Sequence, residues 1–280
     1  MKITVVGGMN MDFLAFPNGP LVLHDSNPGK VQLRAGGVGR NIAQRLSEIG
    51  AEVSLITALG NDAQAPILLS MCREKGIDLS HALKTNLPTP SYLCIHDDQG
   101  DMALAVSDMS AVDALTPKVM QEKMEIINQS AGCVLDANLP EETLLFIAKN
   151  AQVPLFLDPV SCHKAPKVKA ILPYLTAIKP NLLEGSVMTG EKDPAKAADI
   201  LLSHGVKNVF ISMGAEGVYF AGENDRGIVP ALPLPQLPLT GAGDALCAGI
   251  TLSLLKGLPL RECARKGCEA AYHALMAAFS

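Results

Sequence analysis

The sequence predicts an α/β protein in which a mostly parallel β-sheet is covered by helices on both faces, with a small strand-rich sheet set into its N-terminal half. Three observations lead there. Short, mostly apolar runs without polar alternation, at Lys2 to Val6, Val53 to Leu59, Cys133 to Leu135, Leu155 to Leu157, Ala177 to Lys179 and Val209 to Ser212, read as strands buried on both faces. Helical spacing fits Ile67 to Lys75, Pro117 to Ile127, Glu141 to Asn150, Leu182 to Thr189 and Ala195 to His204. Finally, 280 residues with 48% hydrophobic and 18% charged content can bury a large core. The same composition bounds the partners. A net charge of -5 without a basic run argues against nucleic acid or an anionic membrane. No apolar stretch spans a bilayer, and the N-terminus is apolar too briefly for a signal peptide. Seven cysteines without CxxC or Cys/His spacing predict reduced thiols in the cytoplasm, with neither disulfides nor zinc. A small-molecule ligand is expected.

Taken in order, the first strand ends in Gly7-Gly8-Met9-Asn10-Met11-Asp12, where α/β proteins place ligand loops. It is not a G-x-G-x-x-G turn, which disfavours a dinucleotide-binding oxidoreductase. Asn10 and Asp12, two apart in extended chain, point the same way and suit a polyol. From Phe13 to Arg34 there is no helical period; Asp25-Ser26-Asn27-Pro28-Gly29 marks a turn and Lys30 to Arg34 alternates as a half-exposed strand does. A hairpin follows at Tyr92 to Ile95 and Met102 to Val106, around Asp97-Asp98-Gln99-Gly100-Asp101. Together these predict a small sheet that folds over a substrate. Its apolar residues Leu93, Ile95, Leu104 and Val106 are expected to pack as core. Between them, Gly36-Gly37-Val38-Gly39-Arg40-Asn41 opens a helix closed by Gly50, and its glycines are expected to let a ligand touch backbone. Asn41 offers donor and acceptor to a hydroxyl.

Polar residues recur at the strands' carboxyl ends: Asn10, Asp136, Asn138, Asp158, Asn181 and Ser212. Lys179-Pro180-Asn181-Leu182-Leu183-Glu184 sets Asn and Glu one turn apart, either as a capping pair or as holders of a hydrated Mg²⁺. Ser212-Met213-Gly214-Ala215-Glu216-Gly217 is either a β-turn or a nucleotide-phosphate loop. After Pro230 to Pro238, expected to be extended, Thr240-Gly241-Ala242-Gly243-Asp244 opens an apolar helix. Such a turn suits an anion, and a carboxylate beside an anion suits proton abstraction; the plainer reading is an N-cap.

Gly36 to Asn41, Asn181 to Glu184 and Thr240 to Asp244, in this order and at these separations, resemble the ribokinase-like (PfkB-type) carbohydrate kinases over nearly the whole chain. The resemblance implies a ribokinase-like three-layer αβα sandwich, one kinase domain over 1–280, with lid strands from about 13–35 and 88–108. It implies ATP and Mg²⁺. Asp12, Gly37 and Asn41 then look like sugar contacts, with Asn10, Gly36, Gly39 and Asn138 beside them. Ser212, Gly214 and Gly217 look like ATP contacts, with Asn181 and Thr240, and Glu184 like part of the Mg²⁺ network, through water. Asp244 looks like the catalytic base, with Gly241, Ala242 and Gly243 as the anion hole. Asp25 to Lys30, Gly36 to Gln44, Ser91-Tyr92-Leu93 with Ser107-Asp108-Met109, and Asp158-Pro159-Val160-Ser161 resemble the branch of that family that phosphorylates the 5′-hydroxyl of the C-nucleoside pseudouridine. This makes Asp25, Asn27 and Ser91 candidates for reading ribose and base. Other ribosyl acceptors and a non-catalytic sensor are the alternatives.

Three departures bear on the expectations. Pro238 stands where many relatives carry an Asp for a monovalent cation, so no potassium site is expected. The chain stops at Ser280, short of a segment that closes the adenine pocket in relatives, which predicts modest ATP affinity or a completing partner. Ala63 replaces a second glycine after Gly60, at little cost. Exposed lid edges predict a homodimer through the lid.

Overall fold

A computed structural model describes residues 1–233 and 241–277. One sheet contains nine strands in the order Arg226–Val229, Val218–Ala221, Asn208–Ser212, Ala177–Ile178, Leu155–Asp158, Gly132–Asp136, Lys2–Val6, Glu52–Ile56 and Ile77–Asp78. The first two pairings are antiparallel and the others parallel. Successive side chains of a strand face opposite sides. Val5, Val134 and Leu55 therefore join one core with helices Val38–Glu48, Ala242–Leu255 and Leu260–Ala277, whereas Val6, Leu135 and Ile56 join a second core with helices Glu141–Asn150 and Pro194–Ser203. This gives three layers. Residues Ala245 to Ser253 are buried throughout, as their unbroken apolar run predicts.

A separate sheet has the order Gly29–Gly36, Asn10–Pro17, Ser91–His96, Met102–Asp108, its pairings antiparallel, parallel and antiparallel in turn. Asn10–Pro17 joins its two halves, and the sequence hides this strand because Met11, Phe13, Leu14, Ala15 and Phe16 are apolar on both parities. Register aligns Leu33, Phe13, Leu93 and Val106 in one row and Val31, Ala15, Ile95 and Leu104 in the next. This corrects the expectation of core packing there: Leu93 is 44% exposed, and Leu104 and Val106 are each 60% exposed. Apart from Phe13, which packs against the main core, and half-buried Ala15 and Ile95, the rows are exposed on the sheet's outer face; Asp12, paired with Arg34 and Tyr92, lies on the other.

Two helical segments depart from a regular α-helix, the first of them expected as one continuous helix. Pro117 to Ile127 divides into Pro117–Gln121 and Met124–Asn128, because Lys123 N–H donates to Met120 (2.9 Å) and Ile126 N–H to Lys123 (3.1 Å), tightening the chain to i→i+3 spacing. Ala165–Tyr174, with Pro166 and Pro173, forms a 3₁₀ helix, where prolines lacking N–H donors disfavour an α-helix. All seven cysteines are free, and no helix among the described residues is long and apolar enough to cross a membrane.

Candidate active site

At the carboxyl end of the Gly132–Asp136 strand, Asp136 is fully buried and acts as an internal anion. Its Oδ2 accepts from Gly8 N–H (2.8 Å), Gly39 N–H (2.7 Å) and Asn138 Nδ2 (2.9 Å), and its Oδ1 from Asn138 N–H (2.9 Å). Burial raises its pKa against these bonds. The carboxylate thereby fastens the Gly7–Asn10 loop to the start of the Val38–Glu48 helix. The glycines serve that closure: Gly37 has φ 97°, and a Cβ there would sit 2.5 Å from the Gly8 carbonyl oxygen and 2.7 Å from Met9 Cα. A Cβ on Gly39 would meet Gly7 Cα at 2.9 Å, and one on Gly36 would strike the Asp12 carboxylate. The expected room for a ligand at these backbones is therefore filled by the neighbouring loop.

The second turn is built differently. Gly241, φ 84°, precedes the Ala242–Leu255 helix, whose N-terminus has no side-chain cap; a Cβ on Gly241 meets nothing within 4 Å among the described residues. A Cβ on Gly243 would lie 3.2 Å from Lys179 Nζ. Asp244 sits in the first turn and accepts from Asn41 Nδ2 at 2.9 Å. Its pKa is pushed up to about 7, first by burial and then by Asp158, against Lys179 and Asn41. Lys179 is itself buried and pairs with Asp158 Oδ2 at 2.9 Å. Burial works to strip its proton, but the Asp158 carboxylate holds its pKa above the ordinary value. Val160 supports Asp158, donating its N–H to Oδ1 at 2.8 Å from a left-handed backbone, φ 70°. For a β-branched residue this strain costs on the order of 1–3 kcal/mol, a cost met mainly at functional sites.

Asn181 and Glu184 form a reciprocal capping box: Glu184 N–H donates to Asn181 Oδ1 (2.8 Å) and Asn181 N–H to Glu184 Oε2 (2.9 Å). Glu184 is 4% exposed, and burial raises its pKa. Asn181 bridges Ser212 on the adjacent strand, so the two stand side by side at the sheet's carboxyl edge. Gly214, φ 62°, faces open space, whereas a Cβ on Gly217 would collide with the Val229 carbonyl and with Ala231 N. Gly217 is thus needed by the turn itself. No group of three or more His, Cys, Asp or Glu able to cage a metal occurs among the described residues.

The structure brings together Asn10, Asp12, Gly36, Gly37, Gly39, Asn41, Asn138 and Asp244. Asn10 Nδ2 donates to Asp12 Oδ1. Burial raises the Asp12 pKa against that bond and the charges of Arg40 and Arg34. Asp25 and Asn27 lie apart, exposed and engaged in their own turn: Asn27 Oδ1 accepts from Val22 N–H at 2.8 Å and Asp25 Oδ1 from Ser26 N–H at 2.7 Å. Ser91 Oγ turns to Gln64 Oε1 (3.2 Å) and the Thr89 carbonyl (3.1 Å). Thr240 and Pro238 fall outside the described residues. Lys179, Arg40 and Lys164 join the site without having been assigned roles from sequence; Lys164 Nζ donates to Asn138 Oδ1. A lysine closing an apolar strand ahead of Pro180-Asn181 was the available signal for the first.

This layout, a three-layer sheet with a loop-bound carboxyl edge and an acid at an uncapped glycine turn, is that of a sugar or nucleoside kinase. The chain belongs to the pfkB family of carbohydrate kinases, which it matches over residues 1–276. It is 35% identical over 277 residues to the pseudouridine kinase of Escherichia coli (strain K12), covering 95% of this chain and 88% of that protein. Among solved structures, a carbohydrate kinase from Agrobacterium tumefaciens superposes with a TM-score of 0.87 at 30% identity, covering 96% of this chain and 89% of that one. An Arabidopsis thaliana ribokinase complexed with ribose and ATP shares the fold, with a TM-score of 0.85 at 22% identity over 96% of this chain and 90% of that one.

Proposed function

We propose that this kinase transfers the γ-phosphoryl group of ATP to the 5′-hydroxyl of pseudouridine. The observation that carries the chemistry is Asp244: a buried carboxyl with a pKa pushed up to about 7, in the first turn after Gly241, bonded to Asn41 and flanked by Lys179. Asp244 takes the hydroxyl proton as the oxygen attacks in line. Backbone N–H groups of Gly241, Ala242 and Gly243, at the positive helix end, hold the charge that develops on the transferring group, with the Lys179 ammonium behind Gly243. Asp12 and Asn10, with the remaining Asn41 hydrogen and Asn138, hold ribose hydroxyls. Ser212, Gly214 and Asn181 line the nucleotide side.

The residues fit a hydrated Mg²⁺, which would neutralise phosphate charge. Glu184 commits Oε2 to its cap and would offer its other oxygen to the hydrated ion, and Asp158, Glu184 and Asp244 give this end an acidic surplus over Lys179. The small sheet, from about 13–35 and 88–108, acts as a lid on one kinase unit. Its apolar outer rows suit a second copy of the chain, and a homodimer in sedimentation that Leu104→Lys disperses is the expected result. Seven free thiols support a cytoplasmic setting.

The identity of the acceptor rests on the 35% identical relative and on Asp158-Pro159-Val160-Ser161. Phosphate transfer from Mg-ATP is measured with pseudouridine, uridine and ribose. Product with pseudouridine well above the other two is expected; transfer to ribose or uridine instead removes that acceptor, and no transfer with nucleoside still bound favours a sensor.

A further inference from the structure

Arg40 follows the glycine turn, yet its side chain is buried, with 8% of the residue exposed. A guanidinium carries only donors, so burial obliges it to find acceptors. It takes part in none of the ion pairs among the described residues, and its Nε has no acceptor among them. Its hydrogen bond to an oxygen is Nη1 to Asn41 Oδ1, 3.1 Å, with the Cys72 sulfur as a second, weaker partner. The other end of the same amide, Nδ2, donates to Asp244 Oδ2 at 2.9 Å. Arg40, Asn41 and Asp244 therefore form one directed chain of hydrogen bonds.

We infer that Arg40 is a positioning residue for Asp244, acting by fixing which way the Asn41 amide faces. The two ends of a carboxamide are nearly equal in shape, so hydrogen bonding alone decides the orientation. Reversed, the amide would turn its NH₂ toward the guanidinium, donor against donor, and its oxygen toward the carboxyl. Arg40 excludes that arrangement. Asn41 is left able only to donate to Asp244, and donation favours the ionised carboxylate, the form that accepts a proton. The titratable groups facing Asp244 are otherwise Asp158, Lys179, Asp136 and the Cys247 thiol one turn on, and those near Arg40 are Asp12 and the Cys72 thiol; none of them is hydrogen-bonded to the Asn41 amide. Without Arg40 the amide turns freely and also accepts from protonated Asp244, so the carboxyl holds its proton to higher pH.

The catalytic consequence rests on Asp244 being the base, so the test includes a readout independent of turnover. The Asp244 carboxyl is titrated by carbon-13 NMR, its resonance assigned by loss in Asp244→Asn, alongside the pH dependence of kcat/KM. In Arg40→Met the midpoint is expected to rise by about half to one unit, a three- to tenfold change in the proton equilibrium. Arg40→Lys, which still presents a donor, restores most of it. In an Asn41→Ala background, Arg40→Met adds no further shift. A midpoint unmoved in Arg40→Met, or moved equally by both backgrounds, overturns the inference. If Arg40→Met does not fold, Arg40→Gln, which can also accept, takes its place with the same expected rise and the same contrary result. Absence of phosphoryl transfer by the wild type removes the proposed function and leaves the titration to judge Arg40.

Discussion

Gly37, before the Val38–Glu48 helix, and Gly241, before the Ala242–Leu255 helix, both turn with positive φ, 97° and 84°, and both helices start without a side-chain cap. At the first, Asp136 arrives from the neighbouring strand and takes the Gly39 and Gly8 N–H groups, while the Gly7–Met9 backbone fills the space a Cβ would need. At the second, Gly241 has open surroundings among the described residues, and a Cβ on Gly243 would approach the Lys179 ammonium. Uncapped helix starts attract negative charge. One turn is supplied with that charge by the protein and becomes structure; at the other, under the proposed function, the substrate supplies it. Composition of the turns does not distinguish them, but what occupies the adjacent strand ends does.

Substitutions sharpen or break this contrast. The largest effect expected is that of Asp244→Asn at the open turn: turnover falls on the order of 10²-fold or more, as on losing a general base, while the chain stays folded and nucleoside binding stays near wild type. Near-normal turnover would remove Asp244 from that role. Gly37→Ala, at the closed turn, drives a methyl into Gly8 and Met9 and is expected to cost about 3 kcal/mol or more of stability, read from urea midpoints. Asp136→Asn strands buried N–H donors and is expected to cost about 2 kcal/mol, with activity falling in step with folded protein. If Asp136→Asn folds normally and loses activity alone, the first turn is a site rather than a fastening. Gly241→Ala is the mildest, costing about 1 kcal/mol of stability for its left-handed backbone, its larger effect being a raised KM for ATP.

The reach of the sequence divides along the same line. The Lys2–Val6 strand and the Glu141–Asn150 and Leu182–Thr189 helices were legible because apolar period and end signals agree. Asn41, Asn181 and Asp244 stood out locally as polar residues at helix starts, and the Asn181–Glu184 spacing announced the capping box that forms there. Asp136 and Asp158 were visible as polar strand ends, but their partners Gly8, Gly39 and Lys179 are brought by the sheet from distant positions, which no local pattern encodes. Asp25 and Asn27 show the converse: a turn sequence rich in polar groups spends them on its own backbone. The outer rows of the small sheet alternate as a half-buried strand does, and nothing local says that the apolar parity faces outward.

The most direct test of the open turn is the pH dependence of kcat/KM set beside that of stability, for wild type and Asp244→Asn. The folded pKa of Asp244, about 7, lies above the ordinary 3.8, so its contribution to stability is complete below 3.8 and is lost as pH rises through about 7. The account predicts that kcat/KM rises with pH along an acid limb near 7 as the base ionises, that wild-type stability declines across the same interval, and that Asp244→Asn lacks both slopes. An acid limb that persists unchanged in Asp244→Asn would contradict it.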